Sequence, residues 1–196
     1  MEKKVIHPVW FRVTHWINVI AIFILIFSGW RIYNASPLFD FFFPREYTLG
    51  GWLGGALQWH FAAMWLFVIN ALVYLSLNLF TRRFKIKLWP ISIRQAVNEM
   101  KMAVCGKLKH HDLSQYNMVQ KLAYVSVLLN GLVIVVSGLV LWKSVQFPTL
   151  RFLVGGYENA RLVHFYSMSF FCLFILVHVV MVFLTPKTLL AMMRGR

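Results

Sequence analysis

Four of the seven histidines stand inside or at the edge of long apolar runs: His15, His60, His164 and His178. An ionisable side chain in such a run is costly and marks a functional position unless a neighbour satisfies it. Neutral imidazole is both a metal ligand and a proton carrier. The chemistry open to these four is therefore metal ligation, proton relay or plain hydrogen bonding to backbone carbonyls. His7, His110 and His111 lie in basic, polar segments and read as solvated. Cys105 and Cys172 are far apart and form neither a CxxC pair nor a disulfide framework, which sets aside a zinc ribbon and a disulfide-stapled module.

The elements that must position the histidines follow from hydropathy. Of the 196 residues, 60% are apolar and 13% charged, against roughly 45–50% and about 25% in soluble domains. Such a chain is neither disordered nor an ordinary soluble enzyme. Four stretches reach the length of about 20 apolar residues that a membrane span needs: 16–33, 52–80, 119–142 and 160–184. The second is long enough to tilt or to run past the bilayer. No small-residue cleavage site follows the first, which reads as a retained span.

The net charge of +14 raises nucleic-acid binding as a class. That class is set aside because the basic residues flank the apolar runs, where they act as topology signals. Fifteen of the 20 Lys and Arg fall in the N-terminal tail, in the middle loop 81–118 with Lys121, or in the C-terminal tail. Only Arg31, Arg45, Lys143, Arg151 and Arg161 fall on the other side. Both termini and the middle loop are thus expected in the cytoplasm. Within that loop, Ile91 to Val104 reads as a short helix on the inner membrane surface. The first outer loop is aromatic and turn-rich around Phe41, Phe42, Phe43 and Pro44. A membrane-interface belt is the plain reading, and a docking surface is the alternative.

This topology places His60 and His164 at an outer level and His15 and His178 at an inner one, each pair drawn from two helices. His164 and His178 are 14 residues apart. On a helix that is about 40° in azimuth and about 21 Å along the axis, so one face serves both levels. Two facing imidazoles, one on each side of an iron, are the ligand set of b-type haem. The pattern predicts an outer haem on His60 and His164 and an inner haem on His15 and His178. Scattered core histidines, a zinc site and a proton relay are the alternatives. No Asp or Glu lies inside a span to serve a relay.

Further residues fit around this core. Arg12 precedes His15, and Arg161 precedes His164, by three residues, one helical turn. Cationic partners for haem propionates are one reading, and interfacial snorkelling is the other. Gly131 and Gly138, on the span without histidine, allow close approach of a flat macrocycle or of another helix. Asn117 and Gln120 open the third span. Helix capping by Asn117 with an interfacial polar rim accounts for them, and hydrogen bonding to a quinone head group is the functional alternative.

With these residues in place, the chain resembles the bacterial di-haem cytochrome b group, of the b-561 type. That group includes the gamma subunit of formate dehydrogenase and the cytochrome b subunits of nickel–iron hydrogenase and thiosulfate reductase. The resemblance covers nearly the whole chain. It is carried by Arg12-Val-Thr-His15-Trp16, by His60, by Tyr116-Asn117-Met118-Val119-Gln120-Lys121, by Ser137-Gly138-Leu139-Val140-Leu141-Trp142, and by His164 with His178. It implies an all-α integral-membrane fold, a bundle of four transmembrane helices forming one domain in the bacterial inner membrane. It also implies two b haems paired as above, and a quinone held near Asn117 and Gln120. The segments Ile32 to Pro37 and Gly50 to Gly55 resemble the subgroup that accompanies periplasmic molybdopterin oxidoreductases.

The expected function is electron transfer between the quinone pool and a periplasmic oxidoreductase partner. Two rivals predict different behaviour. A stand-alone reductase of superoxide or ferric ion would be active as the isolated chain. A membrane anchor or transporter without haem would show no visible chromophore.

Overall fold

The structure, a computed structural model, describes residues 6–104 and 116–195. Cys105, His110 and His111, named above, lie outside the described residues, as do Lys3, Lys4, Lys107, Lys109 and Arg196 of the basic tails and middle loop. Among the described residues every regular element is helical. The chain forms two compact units, Val9–Ser76 and Leu77–Arg196 with Met1–Pro8.

The first unit is an antiparallel helix pair, α1 (Val9–Ala35) and α2 (Leu53–Phe80), whose last turn belongs to the second unit. α1 begins well before the expected start at residue 16. Arg12 and His15 interrupt the apolar run without interrupting the helix, because both are compatible with helical backbone. Thr14 satisfies its hydroxyl on the carbonyls of Trp10 and Phe11. Asn70, buried in α2, donates to the Thr14 carbonyl at 2.8 Å and to Asn18 Oδ1 at 2.7 Å. These bonds set the register of the pair beside His15.

The loop between the two helices folds back on α1. The Asn34 side-chain amide donates to the Phe43 carbonyl and accepts from the Phe43 N–H. The ring of Phe43 stacks on Trp30 at 4.6 Å, and Tyr33 stacks on Phe41 at 5.2 Å. Phe43 is therefore packed inward, while Phe39, Phe41, Phe42, Tyr47 and Trp52 stay exposed. Gly50 turns the chain into α2 at φ +106°, and a Cβ there would stand 2.4 Å from Ala56 Cα. Only glycine meets both demands.

In the second unit come α3 (Arg83–Leu88), α4 (Ile93–Val104), α5 (Met118–Trp142), α6 (Pro148–Val154), α7 (Tyr157–Leu184) and α8 (Pro186–Arg194). α5 and α7 pack antiparallel, and Asn130 in α5 donates to the Ser167 carbonyl in α7 at 3.0 Å. α4 is the helix expected within 91–104, and it docks on the start of α5. Its Glu99 carboxylate accepts from the Met118 N–H at 2.6 Å, and Lys121 reaches back to the Pro90 carbonyl. A carboxylate over a helix N-terminus meets unpaired N–H groups and the positive end of the helix dipole.

Residues 6–8 join this unit at its other short helices. The Ile6 N–H donates to the Gly195 carbonyl at 2.9 Å. Arg83 donates to His7 Nδ1 at 3.2 Å, so His7 is held by a cation where solvation alone was expected. The segment before α1, the start of α3 and the end of α8 thus meet within this unit. Four helices, α1, α2, α5 and α7, are long and apolar enough to cross a membrane.

Candidate haem-ligand histidines

His60 lies two turns into α2, opposite the Ser28-Gly29 step of α1. Ser28 Oγ is 3.0 Å from His60 Nδ1 and donates its own proton to the Ile24 carbonyl at 2.6 Å. Gly29 leaves room at the ring edge: a Cβ there would be 3.5 Å from His60 Cε1. The ring is therefore gripped at Nδ1 by a hydroxyl and bordered by a residue with no side chain.

The same arrangement recurs in the second unit. His164 lies two turns into α7, opposite Ser137-Gly138 of α5. Ser137 Oγ is 3.1 Å from His164 Nδ1 and donates to the Val133 carbonyl at 2.8 Å. The Ile134 carbonyl also lies 3.1 Å from Nδ1. A carbonyl only accepts, so Nδ1 carries the proton here. A Cβ on Gly138 would be 3.2 Å from His164 Cε1. Gly131 plays no matching part, for a Cβ there would meet nothing within 4 Å.

His15 and His178 have aromatic neighbours. His15, next to the Thr14 carbonyl that Asn70 holds, meets Trp16 edge-on at 5.4 Å. His178 lies parallel to Phe174, one turn earlier in α7, at 5.7 Å. Among the described residues no three His, Cys, Asp or Glu side chains gather into a metal-ion site. Two-point ligation is open to each histidine.

The other singled-out residues have clear local roles. Arg161 pairs with Glu158 at 2.8 Å in the first turn of α7. Arg12 is half-buried in α1, one turn from His15. Asn117 and Gln120 form a reciprocal cap on α5: Asn117 Oδ1 accepts from the Gln120 N–H at 2.8 Å, and Gln120 Oε1 accepts from the Asn117 N–H at 3.1 Å. The cap expected of Asn117 is thus completed by Gln120 as a capping box. The hydroxyls of Ser28 and Ser137 were not among the expected site residues.

Residues 6–195, nearly the whole chain, match the family described as prokaryotic cytochrome b561. The chain belongs to that family. It is also 59% identical to the putative protein-methionine-sulfoxide reductase subunit YedZ1 of Azospira oryzae, over the full length of both chains. Like other members of the prokaryotic cytochrome b561 family, it is a membrane b-type cytochrome that carries electrons.

The residues fit the family's cofactor, b-type haem. Haem iron takes a neutral imidazole through one nitrogen while the other is held by an outer partner. His60 and His164 are each held at Nδ1, and Nε2 would be the nitrogen to face an iron. Gly29 and Gly138 keep side-chain bulk away from both rings. When bound, the haem supplies reversible one-electron chemistry at its iron. The chain's own part is to hold the imidazoles, exclude water and set the local charge.

Proposed function

We propose that this cytochrome b561 carries two b haems and passes electrons from the quinone pool to a periplasmic oxidoreductase partner. His60 and His164 ligate one haem, and His15 and His178 the other. Arg12 and Arg161 serve the propionates, and Asn117 and Gln120 contact the quinone head group. Both termini lie in the cytoplasm, and the membrane is the bacterial inner membrane. The observation that carries this reading is the repeated serine grip on His60 and His164, which readies one imidazole in each unit for iron.

The partner is read from the relative's printed name, that of a reductase subunit acting on protein methionine sulfoxide. Reducing a sulfoxide takes two electrons and two protons and releases water. A quinol releases two electrons and two protons on becoming a quinone, so the stoichiometries match. Flow then runs from quinol through the haems to the partner, for which a molybdopterin centre suits a two-electron oxygen-atom removal. A name that says subunit also favours a dependent electron carrier over a stand-alone reductase.

The test is a reduced-minus-oxidised visible spectrum of the purified chain, with haem quantified. Two b haems per chain are expected, and a folded chain without haem refutes the reading. His15→Ala and His178→Ala should each remove the same haem, and His60→Ala and His164→Ala the other. Crossed losses refute the pairing.

A further inference from the structure

We propose that Ser28 and Ser137 are positioning residues that select Nε2 of His60 and of His164 as the iron-binding nitrogen and raise the basicity of both rings. The inference rests on the haem reading above. A serine hydroxyl has a single proton to give. Ser28 gives it to the Ile24 carbonyl and Ser137 to the Val133 carbonyl, both one turn back on their own helices. Each oxygen therefore meets its histidine as an acceptor, and Nδ1–H is the donor. At His164 the Ile134 carbonyl demands the same proton position independently. In a neutral ring the lone pair then lies on Nε2.

Serines in membrane helices commonly bond back to their own i−4 carbonyl, and that alone satisfies them. A packing role ends there. It leaves unexplained why both hydroxyls also lie within 3.1 Å of a histidine Nδ1, on different helices and in different units. It also leaves unexplained why each is followed by a glycine that borders the same ring. At Ser137-Gly138 the step works as one device: the serine fixes the proton, and the glycine clears the ring edge, where a Cβ would stand 3.2 Å from Cε1. An acceptor on the far nitrogen makes an imidazole a stronger donor to its metal. A stronger donor favours ferric over ferrous iron, so the serines hold the midpoint potential of their haem down.

Threonine and valine have nearly the same shape and differ by the hydroxyl, so they separate hydrogen bonding from packing. The full chain is purified from membranes as Ser28→Thr, Ser28→Val, Ser137→Thr and Ser137→Val. Haem content, the low-temperature electron paramagnetic resonance spectrum of the ferric state and the midpoint potentials are recorded. The threonine variants should match the parent in all three. Ser28→Val should raise the potential of one haem, shift its largest g value, and weaken haem retention on the order of 10-fold or more; Ser137→Val should move the same haem in the same direction but less, because the Ile134 carbonyl still holds Nδ1–H of His164. Valine variants that match the threonine variants overturn the proposal. So does equal haem loss in both, which would assign the position to shape. A parent chain without haem fails the functional reading itself, and shifts on two different haems refute the pairing of His60 with His164 while upholding the serines.

Discussion

A methyl group on Gly138 would stand 3.2 Å from Cε1 of His164, closer than the ring accepts without moving. On Gly29 it would stand 3.5 Å from Cε1 of His60, an ordinary contact. Gly138→Ala is therefore expected to displace its histidine and to cost about 1–3 kcal/mol, as overpacking does. Gly29→Ala should leave haem content and stability close to the parent. Thermal unfolding in detergent, followed at the haem absorption band, reads both.

The buried Asn70 makes two hydrogen bonds to α1, and Asn130 makes one to α7. Hydrogen bonds between membrane helices contribute about 0.6 kcal/mol each, and at most about 1.7. Asn70→Leu is expected to lose roughly twice the stability that Asn130→Leu loses. The same unfolding measurement applies, and equal losses would contradict the bond count.

Asn117 combines an observed cap with a proposed quinone contact, and substitution separates the two. Asn117→Ala removes the cap and should cost about 1 kcal/mol. Asn117→Ser keeps a capping oxygen but has no amide, so it should keep stability while slowing the reduction of haem by added quinol. An unchanged rate in a stable Asn117→Ser variant would remove Asn117 from the quinone site.

Arg161 and Glu158 form an exposed pair at 2.8 Å, of a kind that adds little to stability. That leaves the guanidinium available to exchange Glu158 for a propionate. Removing a positive charge near a haem disfavours the electron-rich ferrous state. Arg161→Gln should therefore lower the potential of the haem on His164, and Glu158→Gln should raise it. Potentiometric titration measures both, and identical curves would confine the pair to the protein surface.

The four spans are legible in the sequence because bilayer thickness dictates a long apolar run, whatever the packing. Their ends are less so. α1 starts at Val9 and α7 at Tyr157, since polar residues near the water interface break an apolar count without breaking a helix. α8 went unread because Pro186 looks like a stop, although proline suits the first turn of a helix. The histidines stand out through the cost of burying them. Their serine partners do not, because a membrane serine already satisfied by its own helix gives no sign of a second bond. Likewise Phe43 reads as part of an interfacial belt until the Asn34 amide is seen to pin it back onto α1, against Trp30.

Each serine–histidine bond closes inside a single antiparallel helix pair, and this bears on biogenesis. The α1–α2 pair is made before α5 and α7, so the Ser28 hydroxyl that holds His60 Nδ1 is already in place when the second pair is synthesised. His164 receives its orientation in the same self-contained way when the later pair arrives. Neither ring waits for iron to learn which way to face. On the pairing proposed above, each half would bring its imidazole to the haem already oriented.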